Sequence, residues 1–77
     1  MAGMSEQPET WTTEHFSQAN PKGPAQGDVP ALLRRVADTL ERLGEVEVQD
    51  LVLHSEVTED GFDWPSITVY LRRPESV

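Results

Sequence analysis

The residues of this 77-residue chain whose types could do chemistry are few: His15, His54, Ser55, the acidic run Glu56, Glu59, Asp60 and Asp63, and the pair Arg72–Arg73. A metal site needs three or four donors in suitable geometry. Even with Asp50 and Glu56 near His54, the folded segment offers one nitrogen ligand, because His15 lies far upstream in a polar stretch. Ser55 follows His54 directly, so on a strand the two point to opposite faces and cannot act as nucleophile and base. Paired carboxylates do acid–base work when their surroundings push their pKa values apart, whereas Glu56, Glu59, Asp60 and Asp63 surround a turn and read as a solvated rim. The twelve-residue calcium-loop pattern is missing, and the glycines are too scattered to cradle a phosphate. No catalytic residue, cofactor site or metal set is assigned. The chain reads as non-enzymatic.

Composition narrows the class further. Fourteen Asp and Glu stand against six Lys and Arg, for a formal net charge of −8, and there is no cysteine. A phosphate backbone repels such a chain, so nucleic acid is excluded as a partner. Without cysteine there is no disulfide frame or thiolate site. No run approaches the roughly 18 to 20 apolar residues of a membrane span, and no secretory signal is visible. The expectation is a soluble, cytoplasmic protein with no membrane partner. Length and acidity also suit an acyl carrier protein. A carrier, however, is a helical bundle with an attachment serine after an aspartate, and this chain has no Asp-Ser dipeptide.

The elements that would position these residues begin near Asp28. Residues 1–27 carry Pro8, Pro21 and Pro24 amid Ser, Thr, Gln and Asn, without apolar periodicity. Such a stretch buries too little to offset its chain entropy, so it is expected to be a disordered tail. Within it, Trp11 and Phe16 bracket a candidate aromatic docking segment, residues 11–16. Asp28 then suits a helix N-cap, and Pro30 falls in the first turn. Leu33, Val36, Leu40 and Leu43 follow at three- and four-residue spacings, with Leu32 and Ala37 widening the stripe, and Gly44 stops the helix. Two strand-like runs follow, 46–57 and 62–73. Residues 74–77 are left as a C-terminal tail. The fold class is α+β: one amphipathic helix followed by an antiparallel β-hairpin (α-β-β) over residues 28–73.

The hairpin register can be read from its turn. A three-residue loop, Glu59-Asp60-Gly61, places glycine where positive φ is needed and pairs Thr58 with Phe62. Leu53 then opposes Ile67, Leu51 opposes Val69 and Gln49 opposes Leu71 on one face. The other face carries Val52 opposite Thr68, His54 opposite Ser66, Asp50 opposite Tyr70 and Glu56 opposite Trp64. Val46 and Val48 share that second parity and rejoin the first face only through a bulge near Gln49–Asp50. Pro65 cannot donate a ladder hydrogen bond, which makes the second strand the expected outer one and the first strand the better candidate for pairing with another chain.

A single helix covers one face of such a hairpin, and residues 28–73 lie near the roughly 40-residue limit below which domains need outside help. Association is therefore expected to complete the sheet, as a homodimer or higher homo-oligomer. The leading expectation is a small acidic interaction or accessory module that self-associates and presents Trp64, Tyr70, Val52 and His54, with Trp11 and Phe16, to an unknown protein. Two alternatives are an acidic inhibitor or antitoxin-like protein on a basic surface, and a small-molecule-binding accessory subunit with His54 as its polar group.

Overall fold

The computed structural model describes residues 11–74, with side chains described from 13 to 73. The chain runs β1 (Trp11–Ala19), α1 (Val29–Leu43), β2 (Glu47–Val57) and β3 (Asp63–Pro74). All pairing is antiparallel, in a three-stranded sheet of order β1-β3-β2. The architecture is an α+β mixture in the order β-α-β-β rather than α-β-β. Residues 11–19, expected within a disordered tail, form the added strand, while residues 1–10 and 75–77 lie outside the described residues.

The helix forms where its signals predict. The Asp28 carboxylate accepts the Ala31 amide at 3.1 Å, Pro30 lies in the first turn, and Gly44 closes the C-terminus at φ 84°. The buried stripe is rotated from the expected one. Leu32 and Val36 are buried, with Leu40 and Leu43 partly so, whereas Leu33 is 46 % exposed and Ala37 is exposed. Spacings of four, four and three residues through Leu32, Val36, Leu40 and Leu43 describe one face of a helix at least as well. The sheet beneath decides between the two stripes.

That sheet is centred on β3, whose alternate residues Pro65, Ile67, Val69 and Leu71 are buried. Ile67, Val69 and Leu71 form one core with Leu32 and Val36, bordered by Phe16, Leu40, Leu43 and Val46. The hairpin register is the expected one from Val57–Asp63 through Asp50–Tyr70, including Leu53–Ile67 and Leu51–Val69. Thr58 N–H donates to Phe62 O at 2.9 Å and Gly61 N–H to Thr58 O at 2.8 Å, with Gly61 at φ 88°. A register shift between Val48 and Asp50 is the bulge. It places Val48, rather than Gln49, opposite Leu71 and lets Val46 reach the core.

Pro65 does not make β3 an outer strand. β3 is central, and the reason lies in where the neighbouring ladders stop. Thr58 bonds to Phe62, so alternation along an antiparallel pair puts Ser55–Pro65 at a non-hydrogen-bonded position, with the Pro65 nitrogen turned away from β2. On that other side, β1 ends at Ala19, opposite Ser66. Pro65 therefore lies one step past the last β1 pair, where no ladder donor is required.

β1 is a strand with little apolar content on its inner face. Glu14, Phe16 and Gln18 pair with Leu71, Val69 and Ile67, and only Phe16 of the three is apolar. The two polar neighbours are each satisfied by a partner. Gln18 Oε1 accepts the Thr39 hydroxyl of α1 at 2.7 Å. Glu14 takes a two-pronged contact from Arg73, at 2.7 and 3.2 Å. The Arg73 hydrogen bond holds the Glu14 carboxyl below the usual glutamate value, against a smaller opposing effect of desolvation. A depressed folded-state pKa contributes stability above the unfolded carboxylate pKa, and that contribution is lost as pH falls through the folded value. In a carbon-detected NMR titration, the Glu14 midpoint is expected below the ordinary glutamate value, and Arg73→Ala should raise it to that range. An unchanged Glu14 midpoint in Arg73→Ala would break this assignment.

Candidate interaction surface

The helix packs across β3 and β1 and leaves β2 uncovered. Every residue of β2 is exposed. On the helix-facing side this matters most. Val48, Leu51 and Leu53 oppose the buried Leu71, Val69 and Ile67, yet remain 43 to 47 % exposed. Val57 continues the strip towards the turn, where Phe62 is also exposed. The apolar pattern of β2 is thus that of a strand with a covered inner face, on a sheet whose helix stops one strand short.

The edge of β2 is equally bare. Residues 52, 54, 56 and 58 bond towards β3 by alternation from the Thr58–Phe62 pair, so Leu51, Leu53 and Ser55 aim their backbone groups outward. The Leu51 amide is met by its neighbour, the Asp50 carboxylate, at 3.0 Å. An unpaired edge of this kind is a template for another strand.

The opposite face of the sheet has a different character. There the Ser17 and Thr68 hydroxyls lie 2.7 Å apart, and the His15 and Tyr70 rings are 5.6 Å apart at 36°. Val52 and Tyr70 are exposed on this face. His54 lies opposite Ser66, with its Nε2 3.7 Å from Glu56. It is exposed, on a strand at the edge of the sheet. Trp64 is part-buried, and its indole N–H donates to the Asn20 carbonyl at 2.9 Å. That bond ties Trp64 to the fold.

The residues expected to form one aromatic surface therefore divide. Val52, His54, Trp64 and Tyr70 share the face away from the helix. Phe16 lies on the helix side against the core. Trp11 sits opposite Pro74 in β1, and its side chain lies outside the described residues. Phe16 was legible as a docking aromatic, but its dock is this chain's own sheet.

Two features near the ends of the strands went unread in the sequence. Asn20 is buried at the exit of β1, where its amide nitrogen lies 2.8 Å from Asp28 O and 3.4 Å from both Ala25 O and Gln26 O. Its side-chain oxygen accepts Arg35 Nε at 3.1 Å. Gln26, also buried, accepts the Gly23 amide at 3.0 Å and donates to Asp63 O at 3.1 Å. Beside it, a cleft of about 600 Å³ opens between the β1–α1 loop and the β2–β3 turn, walled by Lys22, Pro24, Asp60 and Phe62. Asp60 is held below the usual aspartate value, chiefly by the Thr58 hydroxyl that donates to it. Both polar ends of Gln26 are occupied within the fold, so it presents no unpaired group to the cleft.

Among the described residues, no three His, Cys, Asp or Glu side chains gather to hold a metal ion. Among them too, no helix is long and apolar enough to cross a membrane. No protein-family model matches the chain, and neither a curated protein nor a solved structure matches it.

Proposed function

We propose that this protein is a small acidic, non-enzymatic interaction module that self-associates through β2 and the apolar strip beside it. One observation carries the reading. β2 is patterned for burial at Val48, Leu51 and Leu53, yet among the described residues no element of its own chain covers it. A second copy supplies what the strand lacks, namely backbone partners for its outer edge and apolar side chains for its inner face. The face away from the helix, with Tyr70 and Val52 exposed, then stays open to a further protein partner.

Light scattering behind size exclusion tests this directly. The full chain is expected at twice its monomer mass at tens of micromolar. Leu53→Lys places a solvated charge in the centre of the strip, a device by which natural edge strands avoid pairing. It should weaken association by at least about tenfold, or about 1.4 kcal/mol, with an unchanged far-UV spectrum because Leu53 is already half exposed. Equal masses for the two proteins, both monomeric, would sink the proposal.

A further inference from the structure

The residue order along β2 also selects how two copies meet. Resting on the self-association proposed above, we infer that the partner of β2 is β2 of a second copy, antiparallel and centred on Val52, so that Val52 opposes its own symmetry mate. The two three-stranded sheets then join into one sheet of six, with both helices on the same side.

Face parity restricts the choice. A two-fold axis perpendicular to the sheet keeps helix-side residues opposite helix-side residues, so the alternatives are pairings centred on individual residues of β2. Centring on Val52 sets Leu51 opposite Leu53 of the second copy, twice over, and makes the half-exposed strip continuous across the joint. It also sets Asp50 opposite His54 of the second copy, again twice, on the other face. Centring on Leu53 instead opposes Asp50 to Glu56 and Leu51 to Ser55. The like charges directly across a ladder are destabilising. Centring on Leu51 opposes Val52 to Asp50 and Leu53 to Gln49, which buries an aliphatic chain against a polar one on both faces. Centring on His54 sets Val52 against Glu56 and leaves Leu51 opposite Val57, with Asp50 beyond the strand against Thr58.

The backbone fits the same centre. Leu51 and Leu53 have outward N–H and C=O groups, so in this register they exchange both hydrogen bonds with their opposites, while Val52 falls at a non-hydrogen-bonded pair. The Asp50 carboxylate, which meets the Leu51 amide in the single chain, is released when that amide bonds the Leu53 carbonyl of the second copy. It then faces His54 of that copy. The bulge at Gln49 ends the new ladder on one side, which confines the joint to the segment whose sequence is self-complementary.

Cysteine cross-linking on the full chain reads the register, because the protein has no cysteine of its own. At a non-hydrogen-bonded antiparallel pair the Cα atoms lie about 4.5 Å apart, within disulfide reach. Val52→Cys should therefore convert to a disulfide dimer under mild oxidation, at least about fivefold faster than His54→Cys. A mixture of Asp50→Cys and His54→Cys chains should give the mixed disulfide in preference to either homodimer. Val52 and His54 are exposed, so neither substitution threatens the fold. If the wild-type chain is a dimer but His54→Cys cross-links faster than Val52→Cys, the register is overturned and self-association stands. A wild-type chain that stays monomeric to millimolar concentration overturns both.

Discussion

A chain beginning at Gly27 is expected not to fold. Removal of residues 1–26 takes β1 from the side of β3 and leaves the central strand of the sheet as a bare edge. Phe16 leaves the border of the core, and burial of such a ring contributes about 1.5 to 3 kcal/mol. The same cut removes the Gln18–Thr39 and Glu14–Arg73 contacts, the Asn20 hub and the carbonyl that receives the Trp64 indole. Small domains hold only about 5 kcal/mol or slightly more in total, and among the described residues this one has five buried apolar side chains in its core. Far-UV circular dichroism and a thermal melt should show a cooperative transition for the full chain and none for the shortened one. If the shortened chain melts cooperatively within a few degrees of the full one, β1 contributes nothing and its place in the sheet is wrong.

The strand that this cut removes is also where the sequence was hardest to read, and its residues explain why. From Trp11 to Ala19 the positions that face the helix are Glu14, Phe16 and Gln18, so the alternation of apolar and polar residues that marks a half-buried strand is absent. Thr12, Thr13 and Phe16 have strand preference, but preference without a pattern does not separate a strand from a tail. The justification for Glu14 and Gln18 lies in Arg73 and Thr39, 59 and 21 residues away in the chain. Such pairings become visible only once the chain has folded. The hairpin, by contrast, is specified locally. Gly61 fixes the turn, the turn fixes the register, and Leu51–Val69 and Leu53–Ile67 agree with it. Even the bulge was legible, because Val48 has no reason to be apolar unless it rejoins the inner face. Pro65 misled for a physical reason. A proline excludes a ladder bond on one side of one residue, and β1 ends one residue short of it. The uncovered side of β2 follows from the same correction, since a central β3 makes β2 an edge. The second copy proposed for that edge rests on Asp50, Leu51, Leu53 and His54 together, a pattern that acquires meaning only once β2 is placed at the edge of the sheet.

Asn20→Ala is expected to cost about 2 to 4 kcal/mol, more than any single exposed contact of this fold. Asn20 sits where β1 ends, α1 begins and β3 starts, and its side chain ties together the backbone carbonyls of the loop and of the first helical turn. The amide is within 2.8 Å of Asp28 O, the carbonyl that also receives Leu32 N–H in the first turn of the helix. It reaches two more carbonyls, of Ala25 and Gln26, at longer range. Alanine leaves these oxygens buried with fewer donors and strands the Arg35 guanidinium without its acceptor. The cost of an unsatisfied buried group exceeds the net gain of a made hydrogen bond, and that asymmetry sets the size of the effect. Arg35→Ala removes only the exposed arm of the same network and should cost about 1 kcal/mol or less. A domain of this size loses roughly 4 to 8 °C of melting temperature per kcal/mol, so the two variants should separate clearly in a thermal scan. The Trp64 indole N–H, bonded to the Asn20 main chain rather than its side chain, supplies a second readout. In Asn20→Ala its NMR resonance should broaden or shift as the β1 exit loosens, and in Arg35→Ala it should stay in place. If Arg35→Ala costs as much as Asn20→Ala, the ion–amide contact and not the carbonyl cluster holds this corner together.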